Sequence, residues 1–175
     1  GSSLQIFLDK GAGANLIETI SESLLSSGTW NYVMSNGQLA EGNNVITVVA
    51  TDKADNASVA SAGLTIIFDA TIAQPGLPDL DAASDTGGFD DDQVTSDLTP
   101  TFSGAADANP PISIRVDGEP INTVDADGSG AWSYTFAQGE IQSGVHQVDV
   151  IATDLAGNSS PPSEDLTIWL NVVPT

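Results

Sequence analysis

The sequence contains no cysteine and only three basic residues, Lys10, Lys53 and Arg115. The absence of cysteine excludes a disulfide framework and a thiolate metal site. The 24 acidic residues leave a net charge of -21, which disfavours nucleic acid and anionic membranes as partners because both are bound through Lys and Arg. No apolar run is long enough to span a bilayer, so we expect no membrane insertion.

Aromatic residues are few, at 6% of the chain, and His146 is the one histidine. Trp30 and Trp132 alternate with other apolar residues, which predicts core positions for both rather than exposed platforms for sugars. His146 has no second nitrogen ligand and no nucleophile beside it in the pattern, so no catalytic constellation stands out. Asp residues at loop tips stay ionised in water, so the many carboxylates do not indicate an acid-base pair. We therefore predict that the protein is not an enzyme.

What the chain does contain is an internal repeat, and its 40% hydrophobic residues are enough to build a core. Corresponding residues lie 102 positions apart, among them Trp30 with Trp132, Tyr32 with Tyr134, Gly42 with Gly144, Asn56 with Asn158, and residues 64–66 with 166–168. A fixed period of this length predicts a tandem array of one structural unit.

Each unit is predicted to consist of strands, because apolar and polar residues alternate between turn signals. In the first unit we predict strands at residues 4–8, 16–20, 29–34, 44–51 and 64–69. In the second we predict a strand near Leu80 and further strands at 99–104, 112–117, 121–125, 131–136, 145–153 and 165–171. Seven short antiparallel strands with regular turns are typical of an immunoglobulin-like β-sandwich. The predicted fold class is therefore all-β, as tandem immunoglobulin-like sandwiches.

The two units are not equally complete. Residues 69–78 contain two prolines and a glycine and interrupt the periodicity, which places a boundary there. Residues 3–9 match residues 111–117, so the first unit begins at the third strand of the second. We expect residues 3–72 to form a partial sandwich lacking its first strands and residues 73–175 to form a complete seven-stranded one. The open edge of a partial sandwich could be completed by strands from another chain.

The carboxylates are predicted to bind Ca²⁺, because clustered oxygen ligands and the large negative charge suit a hard divalent cation. Strand direction sorts the acids into two groups. One faces the junction of the units and comprises Asp9, Asp69, Asp79, Asp81, Asp107, Asp125, Asp127, Asp154 and Asn158. The other lies at the opposite end of the second unit, where Asp117 and Glu119 follow a later strand and the first long loop contains Asp91 and the candidate ligands Asp85, Asp90, Asp92 and Asp97. We expect at least one ion at the junction, which would hold the units in line, and another under the loop.

Simpler interpretations remain open for both groups. Residues 125–128 resemble the opening of an EF-hand loop but lack its remaining ligands, so they also fit a polar hairpin turn with a positive φ at Gly128. The acidic run near Asp90 also fits a solvated loop.

Four ordered motifs resemble the Ig-like repeats of giant Gram-negative adhesins of the RTX type: residues 78–87, 97–104, 128–133 and 152–160. The likeness covers the second unit and residues 3–69 of the first. It implies an extracellular, calcium-rigidified extender repeat of a type I secreted adhesin on the bacterial cell surface, used in attachment or biofilm formation, with neighbouring Ig-like repeats as partners. Residues 53–56 of the first unit depart from the pattern, which questions calcium binding there. The competing hypothesis is a carbohydrate- or protein-binding Ig-like module of a secreted protein.

Overall fold

The computed structural model describes residues 1–22, 28–89 and 92–171. The chain divides into two compact units, the first unit Gly1–Ala70 and the second unit Thr71–Thr175. In the described residues of both units, all regular secondary structure longer than one residue is β-strand. The described residues contain no helix that could cross a membrane.

The first unit is a single antiparallel sheet. Its strands are β1 (Ser3–Asp9), β2 (Ala14–Ser21), β3 (Gly42–Thr51) and β4 (Leu64–Phe68), in the order β2-β1-β3-β4. Leu4, Ile6 and Ile20 form its buried cluster. The strand predicted at residues 29–34 is wrong, because this segment is irregular.

The second unit is a β-sandwich of two sheets. Its strands are β5 (Asp79–Leu80), β6 (Val94–Thr95), β7 (Thr101–Ala105), β8 (Pro111–Val116), β9 (Glu119–Asp125), β10 (Ala131–Thr135), β11 (Gly144–Ala152) and β12 (Leu166–Leu170). One sheet has the order β10-β7-β5 and the other the order β6-β12-β11-β8-β9. The all-β, immunoglobulin-like fold class is therefore confirmed. Residues 71–89 and 92–171 contain eight strands where the pattern predicted seven, because β6 pairs in parallel with β12.

The core of the second unit lies between these sheets. Phe102 and Trp132 of the three-stranded sheet share a buried cluster with Ile114, Val148 and Ile168 of the five-stranded sheet. The rings of Phe102 and Phe136 meet edge to face, with centroids 5.3 Å apart, an arrangement that aromatic pairs favour. Trp132 is only 3% exposed, so its predicted core position is confirmed.

Trp30 has a different environment from its counterpart Trp132. It is 44% exposed, so its predicted core position is wrong. In the second unit β10 pairs with β7, whereas residues 28–34 around Trp30 are not a strand and the described strands of the first unit form one sheet. A tryptophan that lies on the apolar face of its segment is buried only if another sheet covers that face.

Candidate metal centre

The acidic loop of the second unit, residues 81–97, holds a buried carboxylate with one unsatisfied oxygen. Asp85 is 6% exposed. Its Oδ2 accepts a hydrogen bond from the backbone N–H of Gln93 at 3.2 Å, whereas its Oδ1 is buried without a hydrogen-bond partner among the described residues. The side-chain Oε1 of Gln93 is likewise buried and unpaired there. Two connected residues thus each present a buried oxygen that no donor among residues 1–22, 28–89 and 92–171 satisfies.

A tight turn and a short strand position Asp85. The backbone N–H groups of Ser84 and Asp85 donate to the carbonyl of Asp81 at 2.7 and 3.0 Å, which turns the chain inward. Thr95 of β6 is fully buried, and its hydroxyl donates to the carbonyl of Ser84. The same hydroxyl oxygen accepts the N–H of Asp97 at 3.0 Å. The two ends of the acidic loop are therefore bound to each other.

The parallel pairing of β6 with β12 fixes the far side of the loop. The N–H of Trp169 donates to the carbonyl of Gln93 at 2.9 Å, and the N–H of Asn171 donates to the carbonyl of Thr95 at 2.7 Å. Gln93 adopts a left-handed backbone conformation, with φ of 58°, which is uncommon for a residue other than glycine. The residue that carries the buried, unpaired amide oxygen therefore also has an unusual backbone conformation.

The other predicted ligands of this loop differ in how many hydrogen bonds their carboxylate oxygens accept. Asp97 accepts the N–H of Thr99 at 2.9 Å on Oδ1 and the hydroxyl of Ser84 at 2.9 Å on Oδ2. Burial raises the pKa of Asp97, but these bonds from Thr99 and Ser84 outweigh burial and hold the pKa below its usual value. Asp92 is exposed and accepts the N–H of Val94 at 3.1 Å. Asp90 lies outside the described residues.

Of the carboxylates predicted to face the junction, Asp127 caps its own turn. Its Oδ1 accepts the N–H and the hydroxyl of Ser129, both at 2.7 Å, and the N–H of Ala131 at 3.0 Å. The bond from the Ser129 hydroxyl is the main cause that lowers the pKa of Asp127. This geometry fits the polar hairpin interpretation. The positive φ that we predicted at Gly128 occurs at Gly130 instead, at 85°.

Asp154 and Asn158 form a closed turn that both units share. The carboxylate of Asp154 accepts the backbone N–H and the side-chain amide of Asn158, each at 2.8 Å. The hydrogen bond from the Asn158 side-chain amide is the main cause that lowers the pKa of Asp154. Asp52 and Asn56 repeat these two bonds in the first unit, at 2.9 Å each. The altered residues 53–56 therefore leave the geometry of the turn unchanged.

The remaining residues of the junction group are spread over loop and strand ends. Asp81 accepts the hydroxyl of Ser103 at 2.5 Å, and Asp107 accepts the N–H of Ala73 at 3.3 Å. Asp79 and Asp125 lie exposed at strand ends in the second unit.

In the first unit, Asp9 caps the β1–β2 hairpin and Asp69 follows β4. The Oδ1 of Asp9 accepts the N–H groups of Gly11 and Gly13 at 2.8 and 2.9 Å. Asp69 lies exposed after the end of the strand.

Across residues 1–22, 28–89 and 92–171, no three Asp, Glu or His side chains are grouped so that they could hold a metal ion. The junction ion therefore stays a prediction. In the acidic loop, an ion would need amide and carbonyl oxygens beside the Asp85 carboxylate, a mixture that calcium accepts. The unpaired oxygens of Asp85 and Gln93 fit such a donor set.

The sequence pattern gave no reason to single out Gln93 or the ion pair of Arg115 with Asp149. Arg115 is the one Lys or Arg between residues 71 and 175. Its guanidinium binds Asp149 through two bonds of 2.6 and 2.7 Å. The single guanidinium of the second unit is thus paired with Asp149 of β11 and not with a carboxylate of the acidic loop.

Residues 71–169 match the profile of the bacterial Ig-like domain. The chain belongs to this family. The match spans all eight strands of the second unit and includes the acidic loop. No curated protein matches the chain.

The chain also has a loose likeness to several solved structures. A tetra-tandem repeat from the extending region of a large adhesion protein is 20% identical, with a TM-score of 0.42, over 95% of this chain and 42% of its own. A bacterial ice-binding adhesin described for host cell surface retention is 19% identical, with a TM-score of 0.41, over 98% of this chain and 53% of its own. An Ig-like domain from the M. primoryensis ice-binding adhesin is 20% identical, with a TM-score of 0.37, over 59% of this chain and 100% of its own. These likenesses are too loose to transfer a function.

Proposed function

We propose that this bacterial Ig-like protein is a calcium-rigidified extender module of a bacterial cell-surface adhesin that serves in attachment or biofilm formation. Its partners are neighbouring Ig-like repeats of the same adhesin, and its location is extracellular. The open sheet of the first unit is completed by strands from another chain. The RTX-type resemblance of the sequence motifs and the internal repeat support this role.

The observation that carries the calcium proposal is the unpaired Oδ1 of Asp85 together with the unpaired Oε1 of Gln93. An unsatisfied buried polar group costs about 1–3 kcal/mol, and more if it is charged. A cation bound to both oxygens would remove this cost. When bound, calcium would supply a compact positive charge and bonds to six to eight oxygens.

Calcium suits this environment better than a protein cation does. The chain carries 24 acidic residues against three basic ones, so carboxylates greatly outnumber the side chains that could neutralise them. Self-repulsion of this size destabilises a compact fold unless counter-ions bind. Bound ions would therefore stabilise the folded units and stiffen the loops that hold them, which is what a mechanical spacer requires.

The contacts of His146 support a role outside catalysis. Its ring nitrogens lie 2.7 Å from a carboxylate oxygen of Asp117 and 3.0 Å from the carbonyl of Gln142. Both nitrogens are thus engaged by structural partners. We propose no enzymatic activity for the protein.

Calorimetric melting of the wild-type chain and of Asp85→Asn, with calcium and with chelator, tests the loop site. A ligand at a hundred times its dissociation constant adds about 2.7 kcal/mol, which in a domain of this size raises Tm on the order of 10–20 °C. We expect a smaller calcium-induced rise in Asp85→Asn, and in chelator a Tm equal to or above that of wild type, because the substitution replaces a buried, incompletely hydrogen-bonded carboxyl group with a neutral amide. The matched control is Asp165→Asn, which removes an exposed acid outside both predicted groups.

Equal calcium-induced shifts in wild type and Asp85→Asn would remove Asp85 from the proposed site, and the absence of any shift would remove calcium altogether. The extender role has its own measurement. Small-angle scattering should show a narrower distribution of distances in calcium than in chelator, because rigid repeats sample fewer arrangements. Identical distributions would contradict rigidification even if calcium binds.

One observation favours the alternative, a carbohydrate- or protein-binding module. Trp169 and Val145 are cross-strand neighbours on the outer face of the five-stranded sheet, and they are 50% and 66% exposed. An exposed indole can stack on a sugar or anchor a protein partner. Binding of a glycan in an array that is lost in Trp169→Ala would favour this function over the spacer role.

A further inference from the structure

His146 lies at the beginning of β11, on the side of the strand that faces the core. It shares this side with Val148 and Val150, which are fully buried. The imidazole is itself largely covered, with 16% of the side chain exposed. A polar ring in such a position needs hydrogen-bond partners for its nitrogens.

Both partners of the ring are hydrogen-bond acceptors. Nδ1 lies 2.7 Å from Oδ2 of Asp117, which belongs to the turn between β8 and β9. Nε2 lies 3.0 Å from the backbone carbonyl of Gln142, which belongs to the connection between β10 and β11. A carboxylate and a carbonyl both lack a proton to donate. A neutral imidazole carries one N–H and can satisfy one of these acceptors, whereas an imidazolium carries two and satisfies both.

The geometry of Asp117 is set independently of the histidine. Its Oδ1 accepts the backbone N–H of Gln147 at 2.9 Å, and its own N–H donates to the carbonyl of Gln147 at 2.8 Å. The bond from Gln147 first, and the contact with His146 second, hold the pKa of Asp117 below its usual value. Asp117 is therefore a fixed carboxylate that faces Nδ1.

The first unit shows how the same position works without a titratable group. Asn44 lies 102 positions before His146 and is fully buried. Its side-chain amide donates to the carbonyl of Ala40 at 2.7 Å, and Ala40 lies 102 positions before Gln142. Both units thus use a side-chain N–H at this position to hold the connection that precedes the strand.

Other charged groups near this corner have partners elsewhere. Glu140, in the same connection as Gln142, accepts the Tyr134 hydroxyl at 2.7 Å and the N–H of Ala137 at 2.8 Å. Glu119 lies exposed at the start of β9. Among the described residues, Asp117 is the titratable side chain that the hydrogen bonds place on the ring.

We propose that His146 is a protonation-dependent clasp that ties the β10–β11 connection to the β8–β9 turn. With two N–H groups the ring bonds to Gln142 and Asp117 together, and after deprotonation it keeps only one of these bonds. The second unit then loosens at this corner, whereas the corresponding corner of the first unit, held by Asn44, does not respond to pH. The clasp is independent of calcium and of the proposed extender role.

The sign of the pH effect follows from which state holds the proton. The clasp needs His146 protonated and Asp117 ionised, so its stabilisation falls as pH drops through the lowered pKa of Asp117 and also falls as pH rises and the imidazolium loses its proton. Because its pKa is lowered, Asp117 stays ionised between about pH 5 and 8.5, so a change in stability within this range points to the imidazole.

The test compares wild type with His146→Asn in the full, untagged chain, in saturating calcium so that ion binding cancels in the difference. His146→Asn copies the first unit: it keeps an N–H for the Gln142 carbonyl and removes the charge. We expect the Tm advantage of wild type at pH 5 to shrink by roughly 4–8 °C by pH 8.5, the shift expected for the net loss of one hydrogen bond of typical strength in a domain of this size. In Asp117→Asn this dependence should be much weaker.

Nuclear magnetic resonance gives a second readout, because His146 is the only histidine and every imidazole signal belongs to it. At pH 5 the spectrum of the folded chain should show two ring N–H protons that exchange slowly with water. A Tm difference that stays constant between pH 5 and 8.5 would overturn the clasp. A single ring N–H at pH 5 would overturn it equally.

Discussion

At the scale of single residues, the internal repeat provides pairs of corresponding residues. The two members of a pair have nearly the same sequence pattern around them but different surroundings in the structure. Trp30 and Trp132 have the same periodicity, yet they are 44% and 3% exposed. Ala50 is exposed, whereas its counterpart Ala152 is fully buried. Periodicity indicates which face a side chain lies on, but the elements packed against that face decide whether it is buried.

The tryptophan pair makes this difference measurable. Trp132→Ala should lower the free energy of unfolding of the second unit by about 3–5 kcal/mol, because it leaves a cavity between two sheets. Trp30→Ala should change the stability of the first unit by less than about 1 kcal/mol, because much of that ring is already in water. Urea denaturation followed by circular dichroism measures both values. Similar losses in the two variants would show that Trp30 is part of a core after all.

At the scale of elements, hydrogen bonds beyond the strand ladders decide how each strand continues. The hydroxyls of Ser160 and Ser163 accept the N–H groups of Ala152 and Val150, both at 3.0 Å. Ser58 and Ser61 do the same for β3, at 3.1 Å each. These serines occupy backbone donors along the second half of each strand, on the edge where the pairing of β11 with β12 and of β3 with β4 has ended. The spacing of these serines is the same in both units, but in the sequence it indicates only a polar loop.

Contact between the two strands β7 and β10 depends on a glycine. A Cβ at Gly104 would stand 2.7 Å from the Trp132 ring, which is far inside van der Waals contact. Gly104→Ala should therefore destabilise the second unit by about 1–3 kcal/mol through overpacking. The matched control is Gly128→Ala, where a Cβ meets nothing within 4 Å, and its effect should stay within about 0.5 kcal/mol. Thermal melting of both variants checks this, and equal Tm values would mean that the Trp132 ring moves aside at no cost.

At the scale of the whole molecule, the two units have unequal cores. The second unit buries a cluster that draws on both of its sheets, whereas the buried cluster of the first unit comprises Leu4, Ile6 and Ile20. Stability rises with the apolar area removed from water. The first unit should consequently be the weaker of the two.

Separate expression of residues 1–70 and 71–175 tests this inequality. We expect the second fragment to unfold cooperatively with a urea midpoint close to that of the second unit in the full chain, because its core is its own. The first fragment should have a clearly lower midpoint or remain unfolded. A first fragment as stable as the second would contradict the inference from core size.

Much of the fold could be predicted from alternation and repeat spacing. The positions of β1, β3, β4, β8 and β11 follow the predicted strands closely. In β1, β8 and β11 the apolar residues alternate along one face, which only one register can bury. The two-residue strand β6 is too short for any period, so it could not be predicted. Asp85 could be proposed as a ligand from its charge, but Gln93 could not, since an unpaired amide oxygen exists only once the loop has folded around it.

The sequence by itself determined the strand-rich class, the repeat of 102 residues, the excess of carboxylates and the side of each strand that its apolar residues share. These properties are local or compositional, so the order of the residues is sufficient to specify them. Only the tertiary structure decided which of those apolar sides is covered, which Asp oxygens are already satisfied, and that both nitrogens of His146 meet acceptors. Those outcomes depend on residues distant in the chain, because burial and hydrogen-bond satisfaction are properties of neighbours in space.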